Sequence, residues 1–125
     1  NENDVVAIEE LEFGDNDTLS AYVATIIDAD LLIILSDING LYSSDPRLNS
    51  DARLIEEVNS IDSYIEDMAG GAGSANSTGG MQTKIEAARI AMQNGIPMII
   101  ANGENPGILR DIIEGKKIGT LFMCK

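Results

Sequence analysis

Two short, wholly apolar runs constrain the fold of this chain more than any other feature. They are Leu-Leu-Ile-Ile-Leu at residues 31–35 and Pro-Met-Ile-Ile-Ala at residues 97–101. A run of this length without alternating polar residues is typical of a parallel β-strand whose sheet is covered on both faces. The sequence therefore predicts two buried strands, the first of them central, in a parallel sheet between two layers of helices.

Helical signals fill the stretches beside these runs. Leu19, Val23, Ile26 and Ile27 recur at helical spacing, and a later pattern ends at Asn94-Gly95, which is a typical helix end. The predicted helices lie at residues 19–27, 61–68, 81–94 and 106–113, and two further strands are predicted at residues 5–13 and 119–123. Together these elements predict an α/β fold, a three-layer αβα sandwich with a mainly parallel sheet, formed by one unit without internal repeats.

Charge and composition exclude nucleic acid as a partner and a membrane span as an element. The 21 acidic and 8 basic residues give a net charge of -13, whereas nucleic acid is bound by clustered lysines and arginines. No apolar run approaches the roughly 18 residues of a membrane span. With one cysteine, Cys124, and no segment like a signal peptide, we expect a cytoplasmic protein without an intrachain disulfide.

The absence of histidine narrows the chemistry further. It excludes Ser-His-Asp catalysis and zinc sites built on histidine. The chemistry open to the chain therefore uses carboxylates, lysines, backbone amides and metal ions.

Polar residues follow the predicted strands at the edge where parallel sheets bind ligands. In the tract Gly14-Asp15-Asn16-Asp17, Asn16 could donate to a substrate carboxylate and Asp17 could position cations. Asp and Asn residues at such a junction are also typical of an ordinary helix cap. Ser36-Asp37 could contact a nucleotide, position a metal ion or cap a turn. Asn102-Gly103 follows the second run, and residues 42–47 could flank a nucleotide base or form a structured surface loop.

The glycine tract of residues 70–80, with Lys84 after it, is the other candidate. Glycines let a backbone approach phosphate oxygens closely, and a helix N-terminus offers unpaired N–H groups. Helical side chains lean toward the N-terminus, so Lys84 could reach back to the same phosphate. The alternative is a mobile loop followed by a solvated lysine. The tract is not a P-loop, because it lacks the Gly-Lys-Ser/Thr ending.

Taken in order, these segments resemble the amino-acid-kinase family over nearly the whole chain. Within that family, Gly14-Asp15-Asn16-Asp17 is similar to the tract of the members that phosphorylate glutamate. The motifs that carry the resemblance are Asn1-Glu2-Asn3-Asp4, Phe13-Gly14-Asp15-Asn16-Asp17, Leu35-Ser36-Asp37, Gly40-Leu41-Tyr42, Asp45-Pro46-Arg47, Gly79-Gly80-Met81-Gln82-Thr83-Lys84, Ile99-Ile100-Ala101-Asn102-Gly103 and Gly119-Thr120-Leu121-Phe122.

The resemblance implies transfer of the ATP γ-phosphate to the side-chain carboxylate of L-glutamate, the first step of proline biosynthesis. It implies that Asn1, Asp4 and Asn16 hold glutamate. Asp17 would organise the catalytic groups, and Lys84 would offset the charge that develops on the transferred group. Mg²⁺ would come with the nucleotide rather than occupy a protein cage, and family members usually form homo-oligomers. The implied ATP-binding residues are Ser36, Asp37, Thr78, Gly79, Gly80, Met81, Gln82, Thr83 and Lys84.

The resemblance also implies that residues 1–125 are the carboxyl-terminal, nucleotide-binding part of a kinase domain. The family's amino-terminal portion, with a further phosphate-contacting lysine, does not precede Asn1. We therefore expect the isolated chain to bind nucleotide weakly and not to turn over. Two alternatives stay open. One is a relative that acts on acetylglutamate, aspartate, carbamate or a nucleotide, and the other is a non-catalytic module that binds a nucleotide or an amino acid.

Overall fold

The structure, a computed structural model, describes residues 16–70 and 80–124. That part of the chain mixes helices and strands, as the sequence predicts. The elements are α1 (Asn16–Ile26), β1 (Leu32–Ser36), β2 (Glu57–Val58), α2 (Ser63–Gly70), α3 (Gly80–Gln93), β3 (Met98–Asn102), α4 (Ile108–Ile113) and β4 (Thr120–Phe122). None of these helices has the length and apolar character that crossing a membrane requires. The strand predicted at residues 5–13 lies outside the described residues.

The strands form one mixed sheet in the order β1-β3-β4-β2. β1 pairs with β3 and β2 pairs with β4 in parallel, whereas β3 and β4 are antiparallel. α4 has six residues and rises only about 9 Å, too little to carry the chain back along β3. β4 therefore begins near the carboxyl end of β3, where Thr120 pairs with Ile100, and runs in the opposite direction.

Helices cover both faces of the sheet, which confirms the predicted three-layer α/β sandwich. On one face, Ile34, Met98 and Ile100 pack with α1, α2 and α3 in the larger core. On the other face, Ile33 and Ile99 pack with α4 in a smaller core. The alternation of these neighbouring residues between two cores follows from the two-residue period of a strand. It explains why the runs at residues 31–35 and 97–101 contain no polar residue.

β1 lies at an edge of the sheet that the described residues form. The strand predicted at residues 5–13 lies outside those residues, so the central position expected for the first apolar run stays a prediction. Of its five residues only Ile34 is fully buried. Leu32 and Ile34 of β1 pack into the larger core and Ile33 packs into the smaller one, which explains the apolar character of the strand. The sequence also gave no sign of β2, which has only two residues.

The helix predicted at residues 19–27 is confirmed as α1, but it packs through a different face. Ala21 and Ala24 are buried, whereas Val23, Ile26 and Ile27 are exposed, Ile26 by 81%. α1 packs against α3, which also buries alanines, and small side chains let two helix backbones approach closely. Helical spacing alone does not distinguish a buried stripe of small residues from an exposed stripe of large ones.

The hydroxyl of Thr120, at the start of β4, binds two backbone groups of a distant segment. The residue is 0% exposed, and its Oγ1 accepts a hydrogen bond from the Leu41 amide at 2.9 Å. The same hydroxyl donates to the Ile55 carbonyl at 2.6 Å. Both backbone groups belong to the segment between β1 and β2, so one side chain ties that segment to β4.

We expect Thr120→Val to lower the free energy of unfolding by about 3 kcal/mol, because it leaves two backbone groups without their partner. Thr120→Ser keeps the hydroxyl and loses one methyl group, and its expected cost is about 1 kcal/mol. Urea unfolding followed by circular dichroism measures both variants. A larger loss for serine than for valine would show that the methyl group, not the hydrogen bonds, carries the contribution of Thr120.

Candidate functional site

Three side chains from two helices meet where α1 and α3 begin. Asp17 lies in the first turn of α1, and Thr83 and Lys84 lie near the start of α3. The Lys84 ammonium is 3.0 Å from Asp17 Oδ2, and the Thr83 hydroxyl is 2.8 Å from the same oxygen. The packing of α1 on α3 brings these residues together across 67 positions of sequence. Two helix N-termini at one place also favour bound negative charge.

The Lys84 ammonium has three N–H donors and two acceptors among the described residues. Its other contact is the Gly80 carbonyl oxygen, at 3.3 Å, so Asp17 and Gly80 together use two of its three N–H groups. Within residues 16–70 and 80–124 the third N–H has no partner. The side chains of Lys84 and Asp17 are only 15% and 22% exposed. Partial burial strengthens any electrostatic interaction made by that third donor, because less water screens it.

Ser36 and Asp37 form a separate pair at the carboxyl end of β1. Ser36 Oγ donates to Asp37 Oδ1 at 3.2 Å, and Asp37 is exposed. Ser36 is paired with Asn102 of β3, and its carbonyl accepts from the Gly103 amide at 2.8 Å. The predicted meeting of these two strand ends at one edge of the sheet is confirmed. In the described part of the chain, no hydrogen bond or ion pair joins this pair to the site formed by Asp17, Thr83 and Lys84.

The remaining residues of the predicted nucleotide site point in different directions. Gly80 takes part through its carbonyl oxygen, which accepts from Lys84 at 3.3 Å and lies 2.9 Å from Thr83 Oγ1. Met81 packs against the larger core. Gln82 lies against Gly70 at the end of α2, away from Asp17. The geometry thus places Thr83 and Lys84 with Asp17, and Met81 and Gln82 elsewhere.

The predicted glutamate-binding residues are only partly described. Asn16 is the first residue of α1, beside Asp17, and its amide oxygen is buried. Asn1, Asp4, Thr78 and Gly79 lie outside the described residues, so the roles expected for them stay predictions.

An open cavity of about 530 Å³ lies next to the carboxyl ends of β1 and β3. Asn102 Nδ2 donates to Asn39 Oδ1 at 3.1 Å on its wall. The sequence pointed to Asn102, but not to Asn39 or to the cavity's charged residues, Glu104 and Lys117. Lys117 lies at this edge because β4 runs antiparallel beside β3. No local sequence pattern predicts that direction.

The loop after β1 behaves as a structured surface loop. Arg47 binds Asp45 through two hydrogen bonds, Nε to Oδ1 at 3.1 Å and Nη2 to Oδ2 at 3.0 Å. These side-chain bonds hold the pKa of Asp45 below its usual value and raise the pKa of Arg47. Both partners belong to the loop itself, so the geometry favours the loop interpretation over contact with a nucleotide base.

No dedicated metal cage is visible in the described ranges. Among residues 16–70 and 80–124, no three histidine, cysteine, aspartate or glutamate side chains come together as a metal-binding group.

Comparison with known proteins gives a family and a set of relatives. A sequence model of the amino acid kinase family matches residues 1–102. A glutamate 5-kinase of Clostridium perfringens is 57% identical over 129 residues, which cover 100% of this chain and 48% of that protein. A glutamate 5-kinase of Carboxydothermus hydrogenoformans is 59% identical over 125 residues, which cover 100% of this chain and 33% of that protein. The chain thus spans between a third and a half of the length of these relatives.

Solved structures share the fold. A uridylate kinase from Archaeoglobus fulgidus superposes with a TM-score of 0.66 at 21% identity, over 86% of this chain and 47% of that one. An isopentenyl phosphate kinase from T. acidophilum superposes with a TM-score of 0.61 at 25% identity, over 85% of this chain and 38% of that one. At these identities the superpositions support the α/β architecture and say little about substrate.

Proposed function

The chain belongs to the amino acid kinase family, and we propose that it is the nucleotide-binding part of an enzyme that transfers the γ-phosphate of ATP to the side-chain carboxylate of L-glutamate. Two relatives that match it along its whole length, at 57% and 59% identity, are glutamate 5-kinases. Their similarity favours glutamate over the acetylglutamate, aspartate, carbamate and nucleotide acceptors used elsewhere in the family. The product, glutamyl 5-phosphate, would enter proline biosynthesis.

The contact of Lys84 with Asp17 is the observation that carries this proposal. Phosphoryl transfer needs positioning and charge stabilisation more than covalent help from the protein. A glutamate carboxylate oxygen would bond to the γ-phosphorus while the bond from that phosphorus to the β–γ bridging oxygen breaks and ADP leaves. The carboxylate is already ionised at neutral pH, so no base has to remove a proton. The reaction therefore does not require a histidine base, and this chain contains no histidine.

In this mechanism Lys84 would direct its third N–H toward the oxygens of the transferred group. Asp17 would hold the ammonium in place, since the two side chains are in contact at 3.0 Å. An added Cβ at Gly80 would meet none of residues 16–70 and 80–124 within 4 Å, which is consistent with phosphate bound at the start of α3. Thr78, Gly79 and Gly80 would bind ATP beside Lys84, together with Ser36 and Asp37.

The remaining parts of the proposal concern the ligands and the assembly. Asn1, Asp4 and Asn16 would hold glutamate. Mg²⁺ would enter with ATP, which supplies oxygen ligands to the ion, since Mg²⁺ commonly binds through substrate phosphates. We place the complete enzyme in the cytoplasm as a homo-oligomer.

A chimera tests the function. In it, this chain replaces the matched segment of the Clostridium perfringens relative, and glutamate-dependent release of ADP is measured by a coupled assay. We expect turnover within about tenfold of the unaltered relative, because 57% identity leaves the contacts between segments largely intact. A folded chimera that releases ADP equally well with acetylglutamate or aspartate, or not at all with glutamate, would contradict the proposal.

A further inference from the structure

One carboxylate oxygen at the candidate site serves two donors. Asp17 Oδ2 lies 2.8 Å from Thr83 Oγ1 and 3.0 Å from Lys84 Nζ. The other oxygen, Oδ1, accepts no hydrogen bond from the described residues. The position of Asp17 relative to the Lys84 ammonium is therefore set by how Oδ2 is held.

The Thr83 hydroxyl has a choice of acceptors but only one proton. Its Oγ1 lies 2.8 Å from Asp17 Oδ2 and 2.9 Å from the Gly80 carbonyl oxygen. Hydrogen bonds to an ionised carboxylate are roughly twice as strong as those to a neutral acceptor. The proton therefore goes to Asp17, and Thr83 binds a charged group that is only 22% exposed.

This arrangement matters when the ammonium moves. If Lys84 turns toward a bound phosphate, its bond to Asp17 lengthens and Oδ2 loses part of its stabilisation. The Thr83 hydroxyl, on α3 one residue before Lys84, holds the Asp17 carboxylate beside the ammonium during this movement. Without the hydroxyl, Asp17 can rotate toward water, and Lys84 loses the partner that orients it.

We propose that Thr83 is a positioning residue whose hydroxyl holds Asp17 in the orientation that directs Lys84, and that it does not contact phosphate. The inference rests on the proposed function, because it assigns Thr83 its part in the same phosphoryl transfer. It also changes the role expected from the sequence, in which Thr83 belongs to the ATP-binding residues.

Three substitutions in the chimera test the inference. Thr83→Val has nearly the same shape but no hydroxyl, and we expect it to lower kcat about 30-fold, as misplacement of a catalytic group does, with KM for ATP changed less than about threefold. Thr83→Ser keeps the hydroxyl and is expected to stay within about threefold of the unsubstituted chimera. Thr25→Val is the matched control: among the described residues its hydroxyl bonds to Ala21 within α1, and the substitution should leave the rate unchanged.

A double-mutant cycle with Asp17→Asn separates action through Asp17 from direct contact with phosphate. If Thr83 acts through Asp17, adding Thr83→Val to Asp17→Asn costs less than about twofold more in kcat. A full 30-fold loss in the Asp17→Asn background, or a KM for ATP that rises as much as kcat falls, would overturn the inference. So would a Thr83→Val chimera as fast as the unsubstituted one.

The two proposals fail in different ways. An unsubstituted chimera that is folded but has no glutamate-dependent turnover contradicts the function, and the inference falls with it. A chimera that turns over normally and tolerates Thr83→Val contradicts the inference alone. Circular dichroism of each variant shows whether a loss of rate is instead a loss of folding.

Discussion

Replacing Lys84 by alanine in the chimera is expected to lower kcat for glutamate-dependent ADP release by about 1,000-fold, the loss typical when a group that stabilises transition-state charge is removed. The expected size follows from the burial of Lys84, whose side chain is 15% exposed and whose third N–H has no partner in the described ranges. Such a donor interacts with developing charge where little water competes. Its ammonium contacts both Asp17, at 3.0 Å, and the Gly80 carbonyl, at 3.3 Å.

The loss should fall on kcat more than on KM for ATP. An interaction that strengthens as charge develops on the transferred group contributes to the transition state and less to the bound ground state. Steady-state kinetics at varied ATP and saturating glutamate separate the two. Lys84→Arg retains the charge but replaces a compact ammonium by a planar fork, and we expect a loss of about 100-fold.

Lys116→Ala is the matched control for Lys84→Ala. Lys116 also forms an ion pair, with Asp111 at 2.8 Å, but its side chain is 59% exposed. It follows α4, which covers the opposite face of the sheet from α1 and α3. We expect the chimera with Lys116→Ala to keep its rate within about twofold, because exposed ion pairs contribute little. Equal rates for the two alanine variants would remove Lys84 from the reacting centre.

The sequence predicted the elements of this fold better than their arrangement. The end of α3 shows why prediction succeeded: Asn94-Gly95 marks it, and Gly95 adopts the positive φ of 71° that a glycine allows. The direction of β4 shows why prediction failed. It depends on the short α4 and on where the chain leaves it, which are properties of the connection rather than of the residues at 120–122.

At the candidate site, too, the residues could be predicted but their arrangement could not. Asp17 and Lys84 could be singled out separately, because each follows a strand end or a glycine tract. Their contact could not, because it depends on α1 and α3 packing through alanines, and the sequence suggested a different face of α1. Thr83 shows the limit most clearly: motif position grouped it with ATP-binding residues, while its hydroxyl lies 2.8 Å from Asp17.

Gly119 is the residue whose substitution should cost the most stability. It precedes β4 with a φ of 70°, a conformation that residues with a Cβ rarely adopt. A Cβ built there would overlap the Ile100 carbonyl oxygen and lie 3.0 Å from the Ile100 carbonyl carbon. Both atoms belong to the backbone of β3, so no side-chain rotation relieves the overlap. The chain can approach the backbone of β3 this closely because residue 119 is a glycine.

We expect Gly119→Ala to lower the free energy of unfolding by about 4 kcal/mol, the sum of a left-handed backbone penalty and a displacement of packed backbone. That is a large fraction of the roughly 5–15 kcal/mol that stabilises a typical domain. Gly95→Ala is the matched control, since Gly95 has a φ of 71° and an added Cβ there would meet no described residue within 4 Å. Its expected cost is the backbone penalty alone, about 1 kcal/mol.

Urea unfolding of both variants of this chain measures the difference between their free energies of unfolding. Because the two glycines have nearly the same φ, that difference reports the close contact of residue 119 with β3. β3 also carries Asn102, whose partner in the sheet is Ser36 of the expected ATP site. A displaced β3 therefore moves the carboxyl edge of the sheet, and Gly119→Ala should impair turnover in the chimera even under conditions where it stays folded. Equal stabilities for the two variants would mean that β4 does not begin against Ile100.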